Sequence, residues 1–191
     1  MLFRKAVEGR NSYYDGRESY RHIDAMIGSR GRMLVVSPYM DAYYAKCLAG
    51  RASRGKTYVI TSSADAEALK ILGRGGSRLW TAAYTLLSIL LLYAFAILGI
   101  GGAYLLIAAV PFLVGTAKHW RIRSGISLRV PRGFVHAKMY IAEHAAATGS
   151  ANLTYSGMHR NVEHLSMTYS HDEIRRLEKQ FWRLWDAARS R

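Results

Sequence analysis

The sequence has little cysteine, little acid and, over one long stretch, no charge at all. Its single cysteine, Cys47, excludes an internal disulfide and sits in an Ala/Tyr-rich helical pattern as a small packed residue. No Cys/His spacing of the zinc-binding kind is present, and neither a metal nor another cofactor is expected. The first 20 residues lack an apolar run, so no secretory signal is expected there. Acidic residues number 13 against 27 Lys and Arg, a formal net charge of +14. The excess is shared by both ends, with 14 basic and 7 acidic residues in 1–78 and 13 and 6 in 118–191. Such a balance suits polyanionic partners, and it equally suits a membrane protein whose flanks face the cytoplasm. A chain of 191 residues is enough for one ordinary domain with a core of its own.

Residues 79–117 carry no charge. A single span needs roughly 20 apolar residues. This run is nearly twice that, with Gly99, Gly101 and Gly102 near its middle, where a turn between two helices would fall. Arg74 and Arg78 precede it, and Lys118, Arg121 and Arg123 follow. Basic flanks on both sides fit a hairpin whose two ends face the cytoplasm. Trp80 and Trp120 are placed to anchor those ends. Arms of about 17 residues cover about 26 Å each, which makes the hairpin shallow. Pro111 would kink its second arm. So small a domain could not bury this run on all faces, which argues against a helical hairpin in a soluble core. The expected organisation is 1–78, a membrane hairpin at 79–117, and 118–191.

Around the run, helical and strand patterns alternate. Helices are predicted over 19–27, from a cap at Asp41 to about 52, over 64–72, and after a cap at Ser170. In the last, Ile174, Leu177, Phe181, Leu184 and Trp185 form a core-facing stripe. Strands are predicted at 33–37, ended by Pro38, and at 57–61, 126–130, 134–141 and 161–169, with 146–149 leading into a Gly-Ser-Ala-Asn turn. The fold class is α/β.

The densest chemistry lies between His136 and Glu163. His136 and Lys138 are two apart on a predicted strand and so share a face. Ser150 and Asn152 lie in the turn, and Glu163 on the next strand. A nucleophilic imidazole, a fixed cation, two small polar donors and a carboxylate are what phosphodiester cleavage requires. The spacing resembles the HKD motif of the phospholipase D superfamily, with His136, Lys138, Gly149, Ser150, Asn152 and Glu163 in register. Glu143 stands where that family usually has Asp, a mainly structural position. The resemblance covers 19–78 and 126–190, is strongest over 134–163, and points to single-motif, Nuc-like and mitochondrial-PLD-like members.

The resemblance implies a mixed β-sheet flanked by helices, here with the hairpin inserted. It also implies catalysis by two histidines, one attacking phosphorus and one protonating the leaving oxygen. This chain has one His-x-Lys, since His22 and His119 begin other triplets. The second histidine is therefore expected from another copy, in a homodimer whose two-fold axis crosses the site. Lys138, Ser150 and Asn152 would hold phosphate oxygens, Glu163 would hydrogen-bond an imidazole nitrogen, and no metal is required. Tyr39, His159 and Arg160 are candidates for the substrate groove. The favoured function is a membrane-anchored, metal-independent endonuclease acting on nucleic acid, single-stranded by preference. The alternatives are a phospholipase D or a cardiolipin synthase or hydrolase acting on anionic phospholipid, and a non-catalytic anion-binding tether.

Overall fold

The structure is a computed structural model that describes residues 12–16, 19–72, 89, 90, 93, 97 and 125–190. Its strands are β1 (Ser12–Gly16), β2 (Met33–Met40), β3 (Thr57–Ala64), β4 (Ile126–Val130), β5 (Met139–Ile141), β6 (Ala146–Gly149), β7 (Glu163–Thr168) and β8 (Arg189–Ser190). They form one mixed sheet in the order β1-β7-β6-β5-β2-β3-β4-β8. Helices α1 (Ser19–Gly28), α2 (Ala42–Arg51), α3 (Ala66–Ile71) and α4 (His171–Ala187) cover it. Strands from both sides of the uncharged run share this sheet, because β3 pairs in parallel with β4, Val59 opposite Leu128.

The central strand β2 is apolar at successive positions because both of its faces are buried. Met33 and Val35 point into a core with Ile23, Met26, Tyr44 and Leu48 of α1 and α2. Leu34 and Val36 point into a second core with Ile174, Phe181 and Trp185, the stripe read on α4. Asp41 caps α2 by accepting the Tyr44 N–H at 3.1 Å.

Several boundaries differ from the sequence reading. Strand β2 continues through Pro38 to Met40. Its pairing with β5 stops at Val36, so Pro38 lies where β2 has a ladder neighbour on one side only. Strand β3 runs three residues past 61, to Ala64. The strand predicted over 134–141 begins only at Met139. Before it, the Val135 N–H donates to Ser62 Oγ at 3.1 Å, so a side chain of β3 holds this stretch in place of a ladder partner. Ser170 stands at the cap position of α4 without a side-chain capping bond, and Thr168 Oγ1 donates to Glu173 instead. A π-helical turn, Ser156–Arg160, and the edge strand β1 were not anticipated.

Among the described residues no helix is long and apolar enough to cross a membrane. The expected hairpin lies outside the described residues, except for Ile89, Leu90, Tyr93 and Ile97, which are helical and exposed.

Candidate active site

The β5–β6 hairpin assembles the motif. Its register pairs Met139 with Thr148 and Ile141 with Ala146. Residues just before β5 and just after β6 therefore meet at its open end, which brings Lys138 beside the Gly149–Ser150 junction. Strand β7 adds the third element, with Gly149 opposite Leu165 and the Ser150 N–H bonded to the His164 carbonyl at 3.0 Å. Gly149 permits this closeness, since a Cβ there would lie 2.1 Å from the His164 oxygen. Glu143 occupies the closed end of the hairpin, where its carboxylate overhangs Gly31. It belongs to the frame and stands away from the other motif residues.

Lys138 Nζ lies 3.2 Å from Nδ1 and 3.1 Å from Nε2 of His136, and donates to the His136 carbonyl at 3.0 Å. The imidazole is exposed, whereas Lys138 is only 6% exposed. Burial lowers the Lys138 pKa from its ordinary value, and the nearby Glu163 carboxylate opposes that shift. Ser150 Oγ donates to Glu163 Oε2 and accepts the His164 N–H at 2.9 Å. Asn161 Nδ2 donates to Glu163 Oε1 at 3.1 Å. Among the described residues Glu163 accepts from Ser150 and Asn161, one bond to each oxygen, and the expected bond to an imidazole is not formed within one chain. Two contact pairs result, His136–Lys138 and Ser150–Glu163, coupled through the charges of Lys138 and Glu163.

Asn152 has a buried Oδ1 with no hydrogen-bond partner among the described residues. A half-rotation of that amide would set an N–H donor in the same buried place. The loop that carries it is fixed from below. Tyr140 Oη donates to the Ala151 carbonyl at 2.8 Å, and the Leu153 N–H donates to Ser37 Oγ at 2.8 Å. Asp41 then accepts the Tyr155 N–H at 2.5 Å. Tyr140 is fully buried, which pushes its phenol pKa up and keeps it a donor.

Tyr39 reaches the site through Phe134. Its ring lies 5.9 Å from that of Phe134, which is 6.1 Å from the His136 ring. His159 stands in a separate aromatic cluster, stacked between Tyr20 at 4.2 Å and Tyr155 at 4.5 Å. The Tyr44 hydroxyl lies 3.3 Å from His159 Nε2 and also bonds Asp24. Arg160 lies over the Tyr155 ring at 5.5 Å. The structure thus brings Tyr39 towards His136 and sets His159 and Arg160 in their own group beyond the Asn152 loop. Sequence reasoning missed Ser37, Tyr140, Asn161 and Phe134. The signal for Tyr140 and Asn161 was their position two residues from Lys138 and Glu163, on the same face of an extended chain. Among the described residues, no three His, Cys, Asp or Glu side chains cluster as a metal site would require.

Residues 113–185 match the family model described as cardiolipin synthase, PLD-like domain. Over these residues, fewer than half of the chain, the sequence is similar to a PLD-like domain. That span contains every catalytic candidate from His136 to Glu163. Comparison with curated proteins by sequence finds no match. Among solved structures, the chain is similar to Nuc from Salmonella typhimurium, a phospholipase D family member, at a TM-score of 0.57 and 16% identity, over 95% of this chain and 99% of that one. NucT from Helicobacter pylori gives 0.60 and 12% over 95% and 99%. The phosphatidylserine synthase of Haemophilus influenzae gives 0.53 and 12%, over 95% of this chain but 39% of the synthase. At these identities the likeness is one of fold. The mixed sheet and flanking helices of this chain therefore resemble the fold of these structures.

Proposed function

We propose that the chain is a membrane-anchored phosphodiesterase, an endonuclease that works through a phosphohistidine in a homodimeric site. The observation that carries this reading is the meeting of His136–Lys138 with Ser150–Glu163 at one end of the β5–β6 hairpin, beside an Asn152 amide whose buried Oδ1 has no partner among the described residues. A phosphodiester resists attack because it is anionic and its leaving oxygen is poor. Lys138 and Asn152 supply positive charge and a donor for the non-bridging oxygens. A nitrogen of His136 attacks phosphorus in line, and the bond to the leaving oxygen breaks as the partner's His136 delivers its proton. That second imidazole then takes a proton from water, whose oxygen displaces the nitrogen and regenerates His136. Glu163 fixes the Ser150 hydroxyl, and no step needs a metal. One His-x-Lys per chain makes the site incomplete without a second copy.

The +14 charge, spread over both ends of the chain, supports a nucleic acid substrate, as it would an anionic lipid. Anchorage rests on two observations. Strands β3 and β4, on either side of the uncharged run, lie side by side in one sheet, so a membrane insertion between them must return to the side it left. Ile89, Leu90, Tyr93 and Ile97 expose apolar side chains on helical residues, as a lipid-facing segment does. The basic flanks of the run support a cytoplasmic side for the catalytic parts.

The test presents the detergent-solubilised full chain, in chelator, with labelled single- and double-stranded DNA, RNA and cardiolipin vesicles, beside His136→Ala. Single-stranded cleavage that vanishes in the variant, with an acid-labile phosphoenzyme, is expected. Turnover of cardiolipin with intact nucleic acid would replace the nuclease by the lipid enzyme. Cleavage of the 99–102 turn by protease from the cytoplasmic side of sealed vesicles would remove the hairpin.

A further inference from the structure

Phe134 is 61% exposed, an apolar ring held in solvent next to the candidate nucleophile. Its position is not a matter of slack, because the following residue is pinned by the Val135 N–H to Ser62 bond at 3.1 Å. Phe134 and His136 are two apart in an extended stretch, so their rings leave the backbone on one side, 6.1 Å apart. Tyr39, itself 46% exposed, backs the Phe134 ring from 5.9 Å at an interplanar angle of 55°. Arg132 is exposed in the same turn.

We propose that Phe134, buttressed by Tyr39, is a base-stacking residue for single-stranded nucleic acid at the mouth of the site. Arg132 is placed for a backbone phosphate alongside it. The proposal rests on the substrate class proposed above and adds the element that grips it. A base sandwiched between two rings needs them about 7 Å apart, twice the contact distance of roughly 3.5 Å. Phe134 and Tyr39 are closer than that, so the base lies on the outer face of Phe134 while Tyr39 holds the ring from behind. A nucleotide seated there has its base one ring away from the imidazole, which brings its phosphate to His136. A ring face beside a cation is the usual unit of sequence-tolerant single-strand binding, since every base has a π-face. A flat exposed ring offers an acyl chain no trough to lie in.

The experiment uses the full chain in detergent with His136→Ala, so that the strand is bound without turnover. Fluorescence anisotropy measures its affinity for labelled oligothymidylate and for an abasic strand of the same length. Adding Phe134→Ala should weaken oligothymidylate binding roughly tenfold and leave the abasic strand unchanged, and Phe134→Trp should restore the affinity. Tyr39→Ala should give a smaller loss in the same direction. Equal losses on both strands, or no binding of oligothymidylate by the parent, would overturn the proposal. So would a change of oligomeric state by light scattering in Phe134→Ala, which would make the ring a subunit contact. Loss of cardiolipin-vesicle binding with oligothymidylate unaffected would make it a lipid contact. If base-dependent binding is present but the His136-bearing protein releases no product, the stacking site stands and the phosphodiesterase reading fails.

Discussion

Lys138 Nζ is nearly equidistant from the two ring nitrogens of His136, 3.2 Å from one and 3.1 Å from the other, so it commits the imidazole to neither tautomer. The cation of the candidate site is also one of its most buried polar groups, and that burial is costly. A lysine whose folded pKa is lowered destabilises the fold while it is charged, at all pH values below the folded pKa. The penalty is relieved as pH rises through that value towards the ordinary 10.5. Lys138→Met should therefore lose activity by about 100-fold or more. It should also gain on the order of 1 kcal/mol of stability at neutral pH, seen as a Tm roughly 2–4 °C higher. The gain should shrink as the melt is repeated towards alkaline pH. A lower Tm together with lost activity would mean that Lys138 is a packing residue.

If each site needs two copies of His136, mixing subunits gives a definite number. Wild-type and His136→Ala chains, denatured together in equal amounts and reassociated, should show about one quarter of the wild-type activity per total chain, because only like pairs of intact subunits work. Independent monomers would give about one half. The titration curve over several ratios, square against straight line, separates the two.

The Asn152 loop depends on Tyr140, whose hydroxyl donates to the Ala151 carbonyl at 2.8 Å in a fully buried setting. Tyr140→Phe leaves that carbonyl without its donor, a loss of about 1–3 kcal/mol. Thermal melts should show the drop, and steady-state kinetics should show kcat falling more than KM changes, since in the proposed site the loop holds Asn152 for the reacting phosphate. Unchanged kinetics with lowered stability would confine Tyr140 to packing.

Asp24 is half-buried, with Oδ1 lacking a partner among the described residues, and desolvation raises its pKa above the ordinary 3.8 despite the Tyr44 hydroxyl and the nearby His159. A carboxyl with a raised folded pKa contributes stability that is fully present below 3.8 and lost as pH rises through the folded value. At pH 7 Asp24→Asn should match or exceed the wild-type Tm, and on acidification through that window the wild type should recover relative to the variant. A variant less stable at pH 7 and equally pH-dependent would contradict the assignment.

The motif residues were legible because their spacing encodes a hairpin. Lys138 and Ser150 lie close to the two ends of β5 and β6, so a tight β-turn must bring them together. Three features resisted reading. Pro38 looked like a strand end because its missing N–H is visible in sequence, whereas the late start of β5 beside it is not. Residues 134–138 looked like strand because they alternate, yet Ser62, distant in sequence, supplies the bond that holds them out of the ladder. The bonds of Ser150 and Asn161 to Glu163 were not read, because they depend on how the ends of β6 and β7 lie side by side.

The order of residues alone determined which side chains are candidates for the chemistry, the α/β alternation and the long uncharged run, because these follow from composition and from periodicities of 2.0 and 3.6 residues. Tertiary structure decided which of those groups touch. The sheet order placed β7 against β6 and β3 against β4, contacts between segments far apart in sequence that no local pattern specifies. Hence Phe134 stands exposed against Tyr39, and Lys138 is buried against His136.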